Sequence, residues 1–388
     1  RMDGSEQPKA GGAGTRTTGW GAKMEQARSY EQHLSLLRMA GSAAGKVIAI
    51  TGCTSGAGLV AAQAAAQLGA RGVLLLNRPS QRAIEAEAAV RALAPAGCVV
   101  RTVLCDLTRL SSVRAAAAEL RSILGGEPEE GDGDASGGLL GVGSLAGLGL
   151  DVLACTAAKA PQTEAITGDG FDVQMQINHL GHFVLVGECM PLLHQAAALR
   201  GSARVVLVTS ILRFWPPHPL DARYFEQLVS CKQLGGDGAA PLLAGAMWRR
   251  QQQSRLATAV FADALAELLT GENSPVFAVS ADVPIGAHRK LFKKFDAELR
   301  DRQNICCCMG GLISSLKEWA AGKKTQTQNE GALLVVLGCF DARVGPGTHV
   351  RRRRHTLGMP VIGRDGKEGG FLRWLAGGSD AKSASERA

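Results

Sequence analysis

A chain of 388 residues with 46% hydrophobic residues is long enough for one large or two ordinary domains and can fill a substantial core, which excludes disorder of the whole chain. Its net charge of +8 is modest. Ten scattered cysteines match neither a disulfide framework nor a zinc site, and they favour a reducing compartment. The cysteine pattern therefore predicts no metal site. The sequence contains no run of 18 or more apolar residues, so we predict no membrane-spanning helix.

The N-terminal region, residues 1–45, reads as an arm followed by a short helix. Residues 1–22 lack apolar periodicity, whereas 23–39 carry enough apolar residues for a helix that docks on the domain or on a partner. Residue 1 is Arg, as in a mature chain whose targeting segment has been removed, although a trimmed chain would look the same. We therefore expect an organellar location, mitochondrion or plastid, with a cytoplasmic location as the alternative.

Short apolar strands alternate with helical stretches from residue 46 onward, which predicts an α/β fold with a doubly wound parallel sheet of the Rossmann type. We expect one domain over 46–350, with loop insertions at about 125–149 and 233–247, and order at 325–338 and 371–375. The predicted strands are 47–50, 73–76, 99–104, 151–155, 205–208 and 276–281, and the predicted helices are 59–68, 83–93, 113–124, 171–199 and 252–269.

Residues 351–388 are expected to form a basic C-terminal extension that begins with the run Arg351–Arg354 and His355. Such a run could contact phosphate, an anionic lipid surface or an acidic partner, but we favour a solvated loop. Nucleic acid is disfavoured because no aromatic residues are interleaved for base stacking. The triplet Cys306–Cys308 is read as packing cysteines, with lipidation as the less favoured alternative.

A glycine turn follows the first predicted strand and opens the first predicted helix of the sheet. Thr51 and Ser55 stand beside glycines at 52, 56 and 58. Glycines here allow a tight turn and let backbone amides approach a pyrophosphate at the positive end of the helix. Thr51, Gly52, Ser55, Gly56 and Gly58 are therefore predicted to bind a dinucleotide, with an ordinary glycine-rich turn as the alternative.

The end of the second predicted strand bears on the choice of cofactor. Asn77 and Arg78 lie about 20 residues after the last glycine, where NAD-binding proteins place an acidic residue on the ribose. A cation suits a 2'-phosphate, so NADP(H) is favoured over NAD(H), and the absence of any cofactor stays open. Arg82 could assist, or it could simply be solvated.

Several motifs in order resemble the short-chain dehydrogenase/reductase family, and most closely its retinol dehydrogenase and protochlorophyllide reductase-like branch. The resemblance runs from about residue 46 to 338. Besides the glycine turn, its motifs are Asp-Leu at 106–107, Leu-Asp-Val-Leu at 150–153, Asn-His-Leu-Gly-His-Phe at 178–183, the strand ending at Ser210, Gln-Ser-Arg-Leu-Ala at 253–257 and Asn-Glu-Gly-Ala at 329–332.

The resemblance implies an active site with two retained and two substituted positions. In the family a Tyr donates a proton to the reduced carbonyl, a Lys four residues later lowers its pKa, a Ser orients the carbonyl and an Asn holds a relay water. Ser210 and Asn178 are retained, but Gln251 stands at the Tyr position and Arg255 at the Lys position. Asp106 would contact adenine, and Arg255 could still bind the nicotinamide ribose.

Neighbouring motifs depart in the same way. Cys-Thr-Ala-Ala at 155–158 replaces Asn-Asn-Ala-Gly, and Pro-Ile at 284–285 replaces Pro-Gly. The chain has two tyrosines, and Tyr224 lacks a Lys or Arg four residues on, so rescue of the proton donor by Tyr224 is disfavoured.

These substitutions predict a degenerate NADP(H)-binding protein that serves as a non-catalytic structural or sensing subunit of a larger, multi-subunit assembly. Peripheral membrane contact stays open. The alternative is an active NADP-dependent oxidoreductase that reduces a carbonyl of a hydrophobic substrate with an atypical proton donor.

Overall fold

The structure, a computed structural model, describes residues 27, 29–126, 144–160, 164–214, 216–230, 232–236, 245–283, 328–352 and 360–363. The predicted features at 306–308, 353–355 and 371–375, and most of the two insertions, lie outside the described residues.

An eight-stranded sheet forms the centre of the described molecule. Its spatial order is β3-β2-β1-β4-β5-β6-β7-β8, in which the first seven strands are parallel and β8 is antiparallel to β7. This order confirms the predicted doubly wound Rossmann-type fold. The strands are β1 (Val47–Thr51), β2 (Gly72–Asn77), β3 (Val99–Leu104), β4 (Val152–Cys155), β5 (Ala203–Thr209), β6 (Val276–Asp282), β7 (Thr348–Arg352) and β8 (Pro360–Gly363).

In the part of the chain that the structure describes, seven helices of ten or more residues accompany the sheet. They are α1 (Tyr30–Met39), α2 (Gly56–Gln67), α3 (Gln81–Arg91), α4 (Leu110–Leu124), α5 (Gly181–Arg200), α6 (Ala246–Gly271) and α7 (Gln328–Phe340). Two 3-10 turns, Ile211–Phe214 and Ala222–Phe225, lie between β5 and α6.

Both faces of the sheet are buried, which explains why its central strands are continuous apolar runs. All residues of β1, β2, β4 and β5 are buried. One core forms where α2 and α7 pack on one face, and a second forms where α4, α5 and α6 pack on the other. The small Ala side chains of α2 let this helix lie close to the sheet and to α7.

Two helices differ from their predicted bounds. Among the described residues, the predicted N-terminal helix begins at Tyr30, where Ser29 and Gln32 form a reciprocal capping box, and the earlier part of its predicted range, 23–26, lies outside the described residues. The predicted helix over 171–199 is three consecutive segments: a turn at Val173–Met175, a π-helical turn at Gln176–Leu180 and α5. The π-helical turn coincides with Asn178, as such turns often coincide with functional positions.

The sheet also continues past the predicted domain end at residue 350. Arg351 and Arg352 lie in β7 and pair with β8, so the solvated-loop interpretation is wrong for these two residues. Backbone pairing with Val361 and Pro360 extends the sheet to Gly363. Within the described ranges, no helix is both long and apolar enough to cross a membrane.

Candidate functional site

The predicted glycine turn connects β1 to α2 at the carboxyl edge of the sheet. Gly52 and Gly56 have φ of +71° and +66°, a backbone region that glycine adopts without strain. A Cβ on Gly52 would lie 2.7 Å from Cα of Ala157, and one on Gly58 would lie 2.5 Å from Oγ1 of Thr156. The turn therefore packs directly against the segment that follows β4, and α2 begins within it.

Two alanine substitutions separate packing from backbone strain in this turn. We expect Gly58→Ala to destabilise the protein by about 1–3 kcal/mol, because its Cβ would also lie 2.6 Å from the carbonyl oxygen of Gly52. Gly56→Ala meets nothing within 4 Å and should cost only about 1–2 kcal/mol for the left-handed backbone. Urea denaturation of both variants measures the difference. A larger loss in Gly56→Ala would contradict the packing argument.

Thr51 lies at the centre of a buried hydrogen-bond network, and its side chain is fully engaged. Its Oγ1 accepts from the backbone N of Thr156 and of Ala157, both at 3.0 Å, and lies 2.9 Å from Nε2 of His182. Nδ1 of His182 is 3.2 Å from the carbonyl oxygen of Asn178 and must donate to it. Nε2 therefore accepts the Thr51 hydroxyl proton, so Thr51 links β1, the β4 loop and α5 and offers no side-chain donor to a ligand.

The predicted adenosine-end residues differ in their roles. Asn77 is buried, and its Oδ1 accepts from the backbone N of Cys53 at 2.8 Å, so it supports the glycine turn. Its buried Nδ2 has no partner among the described residues. Arg78 is exposed. Exposed Arg82 extends toward the turn, with Nη2 3.5 Å from the carbonyl oxygen of Thr54.

Ser55 and Asp106 complete this end of the site. Ser55 is exposed and its side chain does not cap α2, which leaves it accessible. Asp106 follows β3. Its Oδ1 accepts two hydrogen bonds from Thr108, one from the backbone N at 3.0 Å and one from the side-chain hydroxyl at 2.7 Å. Asp106 thus holds its own loop in place beside the turn.

Asn178 is fixed by the loop after β4 and by α6. Its Oδ1 accepts from the backbone N of Lys159 at 2.7 Å, and its Nδ2 donates to Oγ of Ser254 at 2.9 Å and to the carbonyl oxygen of Lys159 at 3.3 Å. The carbonyl oxygen of Asn178 also accepts from the hydroxyl of Thr258. The buried amide therefore joins three segments, and its polar atoms are already satisfied by protein groups.

Gln251 lies on α6 next to Asn178 and is equally buried. The amide orientation that gives both of its atoms complementary partners has the nitrogen donating to Oε1 of Gln174 at 2.8 Å and to the carbonyl oxygen of Lys159 at 3.1 Å. Its oxygen then accepts from Nε of Arg255 at 3.3 Å. The side chain is held by three hydrogen bonds and carries no titratable proton.

Arg255 is a buried cation four residues further along α6, where the helix passes the end of β5. Its Nη1 donates to the carbonyl oxygen of Val208 at 3.3 Å. Burial lowers the pKa of Arg255 to about 10, so it stays protonated at neutral pH. Among the described residues it makes no ion pair.

Ser210 follows β5 and is buried, and its Oγ accepts from the backbone N of Leu212 at 3.4 Å. A second buried arginine lies beside it. Arg213 forms an ion pair with Asp282 at the end of β6, and Thr209 also hydrogen-bonds to this carboxylate. Sequence reasoning missed Arg213 and Asp282, because only the pairing of β5 with β6 brings them together.

Tyr224 does not join this group. It is buried in a small apolar cluster with Met175, Leu234 and Ala257. No hydrogen bond connects it to Ser210 or Asn178 in the described part of the chain. Burial raises the pKa of Tyr224 to about 12, which does not suit a proton donor that must exchange near neutral pH. The described residues also contain no group of three or more His, Cys, Asp and Glu side chains that could hold a metal ion.

Two buried histidines on the π-helical turn and α5 give the protein a predictable acid sensitivity. Burial lowers the pKa of both His179 and His182 to about 4. His179 packs among Phe183, Phe225 and Phe261, and its Nδ1 has no hydrogen-bond partner among the described residues.

We expect His179→Leu to reduce the loss of stability in acid. An unfolded His takes up a proton below about pH 6.5, whereas the folded one does so only near pH 4, so stability falls as the pH falls through this window. Removing one such group should lower the slope of unfolding free energy against pH by about 1.4 kcal/mol per unit. Denaturant titrations from pH 7 to 4 measure it, with exposed His194→Leu as the matched control. Equal slopes in all three proteins would refute the assignment.

A comparison with family models matches residues 46–126 to the KR domain. The match covers β1 to α4 with the glycine turn, Asn77, Arg78 and Asp106, and it ends before Asn178, Ser210, Gln251 and Arg255.

Three curated relatives extend the comparison at low identity. The chain is 29% identical over 339 residues to polyprenol dehydrogenase of Mus musculus, which covers 85% of this chain and 88% of the relative. It is 33% identical over 177 residues to retinol dehydrogenase 14 of Mus musculus, covering 43% of this chain and 45% of the relative. It is 32% identical over 168 residues to the chloroplastic protochlorophyllide reductase A of Hordeum vulgare, covering 42% and 36%.

These relatives include both kinds of protein named in the predicted resemblance. For the latter two, the chain spans less than half of the relative's length. Among solved structures, an uncharacterised protein from Mycobacterium paratuberculosis superposes with a TM-score of 0.54 at 24% identity, covering 86% of this chain and 93% of the other. This likeness supports the Rossmann-type fold.

Proposed function

We propose that this chain is a degenerate member of the short-chain dehydrogenase/reductase family that binds NADP(H) and does not perform the tyrosine-dependent reduction of a carbonyl. The observation that carries the proposal is Gln251. Gln251 is buried on α6 beside Asn178, its amide is committed to Gln174, Lys159 and Arg255, and the sequence resemblance assigns it to the position of the family's proton donor.

The glycine turn supports the binding half of the proposal. Its glycines adopt a positive φ without strain, a Cβ on Gly56 would meet nothing within 4 Å, and the N-terminus of α2 favours an anionic group. Exposed Arg78 at the end of β2 suits a 2'-phosphate. Arg255 would hold the nicotinamide end, where a bound NADPH would supply a hydride.

The non-catalytic half follows from proton chemistry. Gln251 has no proton to donate at any accessible pH, and Tyr224 lies in a separate apolar cluster. Both Nδ2 hydrogens of Asn178 are donated to protein groups, one to Oγ of Ser254 and one to the carbonyl oxygen of Lys159. A relay water would have to displace one of these hydrogen bonds.

The test combines binding with turnover. We expect NADPH to quench the intrinsic tryptophan fluorescence of the purified chain and to bind more tightly than NADH, and we expect Arg78→Ala to remove this preference. Retinal-like and quinone-like carbonyls should not be reduced at ordinary enzyme rates. Reduction that Ser210→Ala abolishes would overturn the non-catalytic part. Equal binding of NADH and NADPH would overturn the cofactor preference.

A second candidate function is supported by the retained Ser210 and Asn178. An active NADP-dependent oxidoreductase could reduce a hydrophobic carbonyl with a water as proton source, since Ser210 keeps its hydroxyl at the end of β5. Deuterium transferred from labelled NADPH to the carbon of the product alcohol, together with loss of turnover in Ser210→Ala, would favour this candidate over the first.

The non-catalytic proposal also covers the partners and the location of the protein. We propose that the protein acts as a structural or sensing subunit with protein partners, in an organelle. The chloroplastic relative supports the second point, and the exposed side chain of Phe183 on α5 offers an apolar contact for the first. Isolation of the protein from its source, with identification of co-purifying chains, tests both points.

A further inference from the structure

Among the described residues, the charges near the carboxyl ends of β5 and β6 do not balance. Arg213 and Asp282 neutralise one another as an ion pair. Within the described ranges Arg255 contacts only neutral groups, the carbonyl oxygen of Val208 and the amide oxygen of Gln251. His182, which lies near Arg255, stays neutral because its pKa is lowered to about 4. The described residues of this part of the site therefore carry a net charge of about one positive unit.

The free donors of Arg255 have a defined arrangement. Nε and one hydrogen of Nη1 are used, and Nη2 makes no hydrogen bond to the described residues. Among the described residues, the enclosed polar atoms without partners include Nε of Arg213 but not Nη2 of Arg255. The side chain as a whole is only 3% exposed. A guanidinium fork held in this way matches the two oxygens of one oxyanion.

An unpaired buried cation is costly to keep, because its solvation by water is lost without a compensating charge. The contacts to Val208 and Gln251 need only one donor each, so neither of them requires a cation. A bound anion would supply the missing charge, and a single negative charge would balance it. A carboxylate fits this balance better than a doubly charged phosphate ester.

We propose that Arg255 is the binding residue for a carboxylate-bearing ligand at the nicotinamide end of the site. The inference rests on the proposed function, because it takes the carboxyl edge of the sheet to be the ligand site, but it does not require the dinucleotide to be bound first. It specifies the ligand class that replaces the neutral carbonyl substrate of a tyrosine-dependent reductase.

The experiment compares matched anionic and neutral probes by calorimetry and thermal shift. The carboxylates are formate, butyrate and benzoate, the neutral partners are the corresponding amides, and phenyl phosphate is the third arm. We expect at least one carboxylate to bind roughly tenfold or more tightly than its amide. Arg255→Gln should abolish this difference, Arg255→Lys should keep part of it, and Arg91→Gln, which removes an exposed charge paired with Glu87, should leave it intact.

Each remaining outcome decides against the inference or separates it from the proposed function. Equal binding of acids and amides, or a preference that survives in Arg255→Gln, overturns the inference. Tighter binding of phenyl phosphate through Arg255 overturns the choice of a carboxylate. NADPH is titrated into the same proteins. If NADPH binds and no carboxylate does, only the inference fails. If carboxylates bind and NADPH does not, only the cofactor proposal fails. Should Arg255→Gln not fold, Arg255→Lys decides the question: a preference smaller than in the unchanged protein supports the inference, and an undiminished preference overturns it.

Discussion

Replacing Arg213 by methionine is expected to lower the free energy of unfolding by about 3–5 kcal/mol at neutral pH, because it leaves the carboxylate of Asp282, whose side chain is only 16% exposed, without its cation. Burial acts to raise the pKa of Asp282, but the charge and hydrogen bond of Arg213 and the hydroxyl of Thr209 hold it below its usual value. The carboxylate therefore stabilises the fold above the unfolded pKa of about 4, and this contribution is lost as the pH falls through the folded value.

Urea denaturation of Arg213→Met at pH 7 and pH 4 measures this effect, and Arg255→Met is the matched control. Both variants remove a buried arginine of the same size, but Arg255 has no carboxylate partner among the described residues. Arg255→Met should leave stability unchanged or raise it, because an unpaired buried charge is removed. The ion-pair argument would be wrong if both variants lost the same stability, since burial alone would then account for it.

The sheet was predictable because each central strand is buried on both faces. That burial demands apolar runs such as Val-Ile-Ala-Ile at 47–50, and short runs separated by helix-forming segments lead to one parallel sheet. The strand boundaries at Val99 and Leu104 were predicted correctly. The solvated loop at Arg351 was wrong because β7 and β8 are a basic pair at the sheet edge, where local composition resembles a loop and only pairing reveals a strand.

The candidate site was predictable at positions whose chemistry depends on local chain geometry. The glycine turn follows from its neighbours in sequence, and so does the proximity of Gln251 to Arg255, four residues apart on one helix. The roles of Thr51 and Asn77 could not be read in this way. Both stay predicted dinucleotide-binding residues, and the structure adds the contacts of their side chains with the ring of His182 and the backbone N of Cys53, which lie far from them in the sequence. Long-range pairing also creates the Arg213 and Asp282 ion pair, for which the sequence has no spacing signal.

The double variant Gln251→Tyr/Arg255→Lys is expected to increase NADPH-dependent reduction of retinal-like or quinone-like carbonyls by roughly 10²- to 10⁴-fold, the range that a positioned general acid contributes. Asn178 already lies against α6 at this point, and Ser210 retains its hydroxyl at the end of β5. A tyrosine hydroxyl would replace the amide of Gln251, and the lysine would lower its pKa from one helical turn away.

The control is Gln251→Phe/Arg255→Lys, which has the same ring and cation but no phenolic proton. Steady-state rates with NADPH and the deuteride transferred from labelled NADPH measure chemistry, while circular dichroism and thermal unfolding confirm that both double variants fold. The phenylalanine control should show no gain. A gain of equal size in both would mean that Arg255, not the missing proton donor, suppresses turnover. An inactive tyrosine variant that still binds NADPH would mean that substitutions elsewhere, such as Cys155 and Ala158 in the loop after β4, also disable the nicotinamide end.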